Sequence, residues 1–318
     1  MKLNIDKNSN LVIAADIGGT NIRVALVDLS GEILNKTKVE YSPALGIEKA
    51  GDLISEMIIK ICDNQSIRGI GYSSAGPLDQ VSGKYINPPN LIGWHNKSLI
   101  PIIKKNLAIS PRVGHDATLA ALAETRFGEF SGSKDIVYVT VSTGVGAGMI
   151  SDGNMIQGHN WFAGEVGHII INPNGYGCSL GCDGCLEGNV SGTAIASIAK
   201  EKLLQNNSKI LNDYSIDEIN SKLVFEFANK GDLLCKDILS SVIENLGRGL
   251  ASLLAVLNPE VIILGGSVAE AINSNYWNEL ITSVSNYCIA FYKESPPIKM
   301  TKLGEDASIL GASIIGQN

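Results

Sequence analysis

Hydrophobic and polar positions alternate along the chain with strand and helix periods in turn. An apolar run over residues 11–29, broken at Gly18-Gly19, predicts two strands joined by a tight turn, and Ser30-Gly31 leads into a third strand over 32–40. Apolar residues at helical spacing then predict a helix over 47–63. Strands followed by helices in this way are typical of an α/β fold.

A similar succession of predicted strands and turns occurs again further along the chain. Between the two strand-rich regions the pattern predicts a strand over 67–73, a helix over 98–107, a strand over 111–114 and a helix over 116–127. The second region opens at Asp135 and predicts strands over 136–141, 149–151 and 154–157 around glycine-bearing turns. The order strand, Gly-rich turn, strand therefore occurs twice, and this favours an internal repeat. Shared turn chemistry alone would give the same similarity between the two regions.

The last third of the chain is mostly helical in pattern. Helices are predicted over 192–204, 216–228, 233–257 and 277–291, with a buried-type strand over 261–264. No low-complexity linker separates these segments. If the chain forms two domains, we expect it to cross between them near Gly114–Asp116 and again near Thr301.

Composition and charge narrow the class of protein. The chain has 318 residues, of which 45% are hydrophobic and 18% charged, and this excludes a disordered chain, a coiled coil and a collagen-like fibre. A net charge of −7 without any Lys/Arg run disfavours a nucleic-acid partner. No apolar stretch reaches the ~18 residues of a membrane span, and the first residues lack the apolar core of a secretory signal. We therefore expect a cytoplasmic protein without a membrane partner.

Three loops that follow predicted strands carry glycines suited to phosphate binding. They are Asp16-Ile17-Gly18-Gly19-Thr20-Asn21, Thr143-Gly144-Val145-Gly146-Ala147-Gly148 and Gly265-Gly266-Ser267. Glycine lets the backbone N–H groups approach an anion, hydroxyls at Thr20 and Thr143 add donors, and Asp16 offers a carboxylate for Mg²⁺, directly or through water. Each loop alone is also compatible with a plain hairpin turn. Neither a P-loop nor a dinucleotide-binding glycine pattern occurs at the first loop.

Asp116 lies where a predicted strand gives way to a predicted helix. Two roles are open at such a junction. An aspartate there caps the helix by accepting its free N–H groups, or it serves as a general base at the end of a strand. The residues themselves leave both interpretations open.

A histidine and three cysteines fall within 18 residues. Cys178, Cys182 and Cys185 follow the segment Glu165-Val166-Gly167-His168, and these four side chains, His168 included, would complete a closed tetrahedral zinc site. His159 is a nearby alternative ligand, but nothing in its spacing from the cysteines favours it. The alternative is a set of glycine-turn cysteines without a metal ion. In a reducing compartment the cluster favours a metal or a tight turn over disulfides.

Seven short motifs, in order, resemble those of the ROK family (repressors, open reading frames and sugar kinases) over essentially the full chain. They are Asp16-Ile17-Gly18-Gly19-Thr20, Gly76-Pro77-Leu78-Asp79, Asn90-Leu91-Ile92-Gly93-Trp94, His115-Asp116-Ala117, Ser142-Thr143-Gly144-Val145-Gly146, Glu165-Val166-Gly167-His168 and Gly184-Cys185-Leu186-Glu187. The resemblance implies a duplicated α/β ATPase fold like that of actin, hexokinase and Hsp70, with two domains around a cleft. It places a small domain at 1–114 plus 302–318 and a large domain at 115–301.

The resemblance also implies a role for each matching residue. Asp116 matches the base that takes the proton from the sugar hydroxyl, and His168 matches a sugar-binding position that doubles as a zinc ligand. The implied sugar-binding set is Asn90, His115, Asp116, Glu165, His168 and Glu187. The implied ATP and Mg²⁺ set is Asp16, Gly18, Gly19, Thr20, Asn21, Thr143, Gly144, Gly265 and Gly266.

Two positions depart from the family pattern. His115 stands where the family usually has Asn, and an imidazole differs from an amide in reach and donor geometry. The family's cysteine motif, anchored on Gly184-Cys185, would place a Cys at position 180, where this chain has Leu180 and an additional Cys182. A zinc site therefore requires Cys182 to take the place of the missing ligand through a changed turn.

The expected activity is transfer of a phosphoryl group from ATP to the 6-hydroxyl of glucose. N-acetylmannosamine or N-acetylglucosamine kinase activity is the alternative within the same class. A sugar-responsive repressor is less expected because only 15 residues precede Asp16, and an actin- or Hsp70-like ATPase would lack the Glu165–Glu187 sugar constellation. The resemblance further implies a homodimer or homotetramer.

Overall fold

The computed structural model describes residues 3–205 and 214–317. The chain divides into two compact units. The first unit comprises residues 1–134, 148–164 and 302–318, and the second comprises 135–147 and 165–301. Among the helices of the described segments, none has the length and apolar character needed to cross a membrane.

The first unit is built on a five-stranded sheet. Its strands are β2 (Leu11–Ile17), β3 (Asn21–Asp28), β4 (Ile33–Glu40), β6 (Ile70–Ser74) and β7 (Arg112–His115), and a separate short pair joins β1 (Asn4–Ile5) to β5 (Ser66–Ile67). The sheet order is β4-β3-β2-β6-β7, with antiparallel hairpins from β2 to β4 and parallel pairing of β2, β6 and β7. The carboxyl ends of these three parallel strands therefore share one edge of the sheet.

Helices cover both faces of this sheet. They are α1 (Ile47–Cys62), α2 (Ile100–Leu107), α3 (Asp116–Phe127) and α10 (Ala307–Gly316). Alternate residues of β2 point to opposite faces, so Ile13 packs in the core with α1 and α2 whereas Ala14 packs in the core with α3 and α10. Both cores bury their apolar residues almost completely, which fixes the strand register.

The second sheet repeats the strand order of the first. It runs β10-β9-β8-β11-β12, where β8 is Ile136–Val141, β9 is Val145–Ser151, β10 is Asn154–Met155, β11 is Val261–Gly265 and β12 is Ile298–Met300. Here β9 and β10 form an antiparallel hairpin, and β8, β11 and β12 are parallel. The internal repeat expected from the sequence is thus present as two sheets of the same topology.

Helices make up most of the second unit. They are α4 (Leu186–Val190), α5 (Gly192–Gln205), α6 (Ser221–Asn229), α7 (Leu233–Leu257), α8 (Ser267–Asn275) and α9 (Trp277–Tyr287). The long α7 packs against α4, α5, α6 and α9, and its buried face carries apolar residues such as Leu246 and Leu250.

Most predicted elements agree with the structure, and four differ. The strand expected over 67–73 is two strands, β5 and β6, which belong to different sheets. The segment 145–148, expected as loop, belongs to β9, because its glycines pair within the sheet. The helix expected over 277–291 ends at Tyr287 and is followed by a 3₁₀ turn at Ala290–Tyr292. The helix expected over 216–228 is a 3₁₀ turn followed by α6. Helices α4 and α8 and strands β1 and β12 were not predicted.

The compact units differ in extent from the predicted domains. Residues 115–134 and 148–164 fall in the first unit, although the sequence assigned them to the large domain. For residues 115–134 the cause is α3, whose contacts with α10, β6 and β7 tie it to the first sheet. The division into small and large functional domains at 1–114 plus 302–318 and 115–301 stays a prediction.

Candidate active site

The carboxylate of Asp16, at the end of β2, is enclosed by hydrogen-bond donors. Its Oδ2 accepts from Arg23 Nη2 at 2.8 Å and Nε at 3.2 Å. Its Oδ1 accepts from the hydroxyls of Ser73 and Ser308, each at 2.9 Å. These four bonds occupy the lone pairs of a side chain that is only 14% exposed. The arrangement leaves little room for direct Mg²⁺ ligation, and contact with Mg²⁺ through water, the other form of the expectation for Asp16, stays a prediction.

The first glycine loop closes the β2–β3 hairpin. The Gly18 N–H donates to the Asn21 carbonyl at 3.0 Å, and Asn21 Nδ2 donates to Thr20 Oγ1 at 2.8 Å. A side-chain carbon at Gly19 would come within 3.1 Å of the Asn90 carbonyl oxygen. The structure thus brings the exposed Asn90 directly against the predicted phosphate loop within the first unit.

Asp116 is the first residue of α3, and His115 is the N-cap. Asp116 Oδ1 accepts from the Ala117 N–H at 2.7 Å and lies 3.4 Å from His115 Nε2. This contact to the next residue is not the bond of an N-cap, which reaches the second or third helical N–H, so the capping interpretation of Asp116 is wrong. The side chain keeps 38% of its surface exposed.

The surroundings of Asp116 favour its protonated form. Burial by the surrounding protein raises the pKa of Asp116, the His115 imidazole lowers it, and the Asp16 carboxylate raises it. The net effect is a pKa above the ordinary value for aspartate. A carboxylate of raised pKa is a stronger base than an ordinary aspartate, which suits proton abstraction near neutral pH.

The second unit brings the other two glycine loops together. Thr143 and Gly144 follow β8, and Gly265 and Gly266 lie where β11 passes into α8, which has Gly266 as its N-cap. Ser142 Oγ and Ser267 Oγ lie 3.1 Å apart, which joins the two loops at the carboxyl ends of parallel strands. The N-terminus of α8 presents free N–H groups and the positive end of its dipole there, an arrangement suited to an anion.

Glu187 connects this region to the expected sugar-binding residues. Its Oε2 accepts from the Val145 N–H at 2.9 Å, beside Gly144, where a side-chain carbon would approach that oxygen to 2.7 Å. Glu165 Oε2 lies 3.7 Å from His168 Nε2. The predicted side chains of the second unit are therefore half-buried, with Glu165 beside His168 and Glu187 beside Gly144.

His168 uses its other ring nitrogen toward the cysteines. Nδ1 lies 3.2 Å from Cys182 Sγ and 3.6 Å from Cys178 Sγ, and the two sulfurs are 3.2 Å apart. One ligand atom each from His168, Cys178, Cys182 and Cys185 lies within 4.8 Å of the others. Four such donors converging at these separations fit a tetrahedral zinc ion.

Cys182 occupies the place that Leu180 leaves unfilled. The Leu180 side chain points outward and is 56% exposed. Gly181 adopts a φ of +90°, which a side chain would disfavour, and the Cys178 N–H bonds the Cys182 carbonyl at 3.1 Å. This turn carries the Cys182 sulfur into the cluster.

The cysteine thiols also differ in pKa. Burial opposes ionisation of Cys178, but the hydrogen bond from Cys182 holds the pKa of Cys178 down to about 7. Burial and the neighbouring sulfurs raise the pKa of Cys182 to about 12. The cluster thus stabilises one thiolate through its neighbours, as expected where several sulfurs converge on one point.

Sequence reasoning missed the side chains that support these groups. Arg23, Ser73 and Ser308 hold Asp16. In the cysteine loop, the buried Asn189 donates from Nδ2 to the carbonyls of Tyr176 and Cys185 at 2.9 and 2.7 Å. Asn189 lies four residues after Cys185 in α4, a helix that the sequence pattern did not predict, so no signal in the sequence pointed to it.

Known proteins resemble this chain in both sequence and structure. The model of the ROK family matches residues 12–318. A glucokinase of Thermotoga maritima is 31% identical over 306 residues, covering 96% of each chain. A ROK family glucokinase of Streptomyces griseus, solved with glucose and AMPPNP, is 29% identical with a TM-score of 0.81, covering 96% of this chain and 99% of its own.

Relatives of similar identity carry other names. An N-acetylmannosamine kinase of Escherichia coli is 27% identical over 305 residues, covering 96% of this chain and 98% of its own. A xylose repressor of Caldicellulosiruptor bescii is 29% identical over 322 residues, covering 97% of this chain and 78% of its own. With the duplicated sheets and a family match over nearly the whole length, the chain belongs to the ROK family.

Proposed function

We propose that this protein is an ATP-dependent hexose kinase that phosphorylates the 6-hydroxyl of glucose. Its class, a sugar kinase, follows from membership in the ROK family and from similarity to glucokinases over 96% of the chain. The observation that carries the proposed chemistry is Asp116, a partly exposed carboxyl of raised pKa at the start of α3.

Asp116 is the proposed general base. The Ala117 N–H fixes its Oδ1, so the carboxylate has one orientation in which to meet a sugar hydroxyl. It accepts the hydroxyl proton as the oxygen attacks the γ-phosphorus and ADP leaves. Phosphoryl transfer requires little covalent help from the protein, so orientation of this one nucleophile is the main contribution of Asp116.

The remaining residues bind and orient the two substrates. Glu165, Glu187 and His168 accept or donate hydrogen bonds to ring hydroxyls, and Asn90 and His115 are the proposed contributors from the first unit. The residues that are proposed to bind the nucleotide are Gly18, Gly19, Thr20, Asn21, Thr143, Gly144, Gly265 and Gly266. The N-terminus of α8, which has Gly266 as its N-cap, supports the last assignment because the first N–H groups of a helix have no partner within that helix. Asp16 is proposed to contact Mg²⁺ through water, because its four hydrogen bonds occupy the carboxylate oxygens.

His168, Cys178, Cys182 and Cys185 are the proposed zinc ligands. Zinc would supply a structural crosslink, because four protein ligands leave no open position. Cys185 is the N-cap of α4, its sulfur accepting the Gly188 N–H at 3.3 Å, and Glu187 is in the first turn of that helix. Order in the cysteine loop is therefore transmitted directly to the carboxylate of Glu187.

The preference for glucose rests on the hydrogen-bonding groups of the second unit. Two carboxylates and an imidazole suit the hydroxyls of an unmodified hexose, whereas an N-acetyl group requires an apolar niche for its methyl. A site built to bond a hydroxyl rejects an analogue lacking it by ~10⁴ or more. N-acetylmannosamine kinase activity is the second candidate, favoured by the relative of that name. Cytoplasmic location, a homodimer or homotetramer, and the absence of a nucleic-acid partner stay predictions.

A panel of four sugars tests the proposal. Initial rates of ADP release would be measured with glucose, mannose, N-acetylglucosamine and N-acetylmannosamine under identical conditions. We expect the highest kcat/KM with glucose. A higher value for either acetylated sugar would replace the glucose assignment by the alternative, and no turnover of any sugar would overturn the kinase proposal.

A further inference from the structure

The His115 ring is fixed between the backbone of one loop and the carboxylate of the next residue. It ends β7, at the position paired with Ser74 of β6. A side-chain carbon at Gly76 would approach His115 Cδ2 to 2.6 Å and Nε2 to 3.2 Å, so the ring edge lies against the bare Gly76 backbone. On its other side Nε2 lies 3.4 Å from Asp116 Oδ1. The side chain is only 20% exposed.

We propose that His115 is a positioning residue for Asp116, holding the carboxylate through its Nε2 so that the base stays ionised and oriented. This inference rests on the proposed function, in which Asp116 is the general base. It differs from the sugar-binding role that the resemblance implies for His115, because it assigns the imidazole to the base and not to the substrate.

The geometry gives the imidazole this role for two reasons. A donor at Nε2 can tighten from 3.4 Å to hydrogen-bond distance when substrate orders the site, as catalytic hydrogen bonds commonly do. A protonated imidazole also places a positive charge beside the carboxylate, and His115 accordingly lowers the pKa of Asp116 against the effects of burial and Asp16. The hydrogen bond and the positive charge of the imidazole would therefore both act on Asp116 Oδ1.

The elements around His115 supply few other charges. Loop residues 75–78 and helix α10 contain no ionisable side chain, and α3 offers Asp116 alone in its first turn. Strand β6 offers only Tyr72, whose pKa burial raises well above the ordinary value, and β7 offers Arg112 at its distant, exposed start. The Asp16 carboxylate also raises the pKa of Asp116, and the charge of Asp16 is itself paired with Arg23.

The test compares variants that separate ring shape, hydrogen bonding and charge. His115→Phe keeps a flat ring against Gly76 without a donor, and His115→Asn offers a donor that cannot become charged. Gly76→Ala changes neither His115 nor Asp116, but the added methyl group would displace the His115 ring. His159→Phe, at an exposed histidine of the same unit, is the matched control. For each, kcat and the hexose KM would be measured from pH 5 to 9.

We expect His115→Phe to lower kcat about tenfold or more, with the hexose KM within a few-fold. Because His115 lowers the pKa of Asp116, its removal raises that pKa, and the acid limb of kcat/KM moves to higher pH. His115→Asn restores part of kcat but keeps the shifted limb. Gly76→Ala shifts the limb in the same direction, and His159→Phe leaves both quantities unchanged.

Carbon-13 NMR of aspartate-labelled protein gives a readout that needs no turnover. The Asp116 carboxyl resonance, identified by its loss in Asp116→Asn, should titrate at higher pH in His115→Phe than in wild type. An unchanged titration and acid limb in His115→Phe would overturn the inference, as would a large rise in hexose KM at constant kcat. If the wild type phosphorylates no sugar, the proposed function fails, and the NMR titration alone then decides whether the two residues interact.

Discussion

At the scale of single residues, the sequence located Asp116 but did not decide its role. A strand-to-helix junction accommodates a capping aspartate or a reactive one, and both have the same local pattern. The structure contradicts the capping role, because His115 takes the N-cap position and the Asp116 carboxylate accepts from the adjacent Ala117 N–H. The general-base role stays a proposal. The raised pKa then follows from burial and from Asp16, which is 100 residues away in sequence and beyond the reach of a local pattern.

Asp116→Asn should abolish turnover while preserving sugar binding. The amide keeps the shape of the side chain but cannot take a proton, so kcat falls by at least ~10²-fold, whereas hexose affinity by calorimetry stays within a few-fold. The exposed Asp237 of α7 provides the control variant Asp237→Asn, which should keep wild-type kcat. Retention of more than about a tenth of wild-type kcat by Asp116→Asn would contradict the assignment.

The same variant should not lose stability. A folded-state pKa above the unfolded value means that the ionised carboxylate of Asp116 destabilises the fold at any pH above the unfolded pKa. Removing that charge leaves Tm at neutral pH equal to or higher than in wild type. Loss of activity without loss of Tm would thus separate a catalytic role from a structural one.

At the scale of elements, local spacing predicted more than distant contacts. The strands 11–17 and 136–141 and the helix α7 follow directly from apolar periodicity, and the cysteine spacing predicted which four side chains would converge. The partners of Asp16 escaped prediction because Ser73 and Ser308 lie 57 and 292 residues away in sequence. Helix α8 escaped because it is short and begins directly after Gly265-Gly266, which predicted only a loop.

The cysteine loop should contain about one zinc ion per chain, because its four ligands close a tetrahedral shell. Elemental analysis of protein purified without chelators would measure it. Cys182→Ser should lose the metal and lower Tm, since metal affinity contributes to folding free energy. Cys288→Ser, at a buried cysteine outside the cluster, should keep the metal. Wild-type protein without zinc would mean that packing alone orders the loop.

At the scale of the whole molecule, the duplication was visible in the sequence and its boundaries were not. Two strand–turn–strand patterns around Gly18 and Gly144 predicted the repeat, and the two sheets indeed share one strand order. The extent of each unit depends on helix packing, above all that of α3 against α10, whose partners are nearly 200 residues apart. Contacts of that range leave no trace in local periodicity.

The reaction that we propose for this chain is transfer of the γ-phosphoryl group of ATP to the 6-hydroxyl of glucose. The direct measurement is phosphorus and carbon NMR of the products formed from glucose and ATP, with Asp116→Asn as the blank. We expect wild type to form glucose 6-phosphate and ADP in equal amounts and the variant to form neither. Phosphate on another hydroxyl, free inorganic phosphate in place of a sugar phosphate, or equal product from the variant would contradict it.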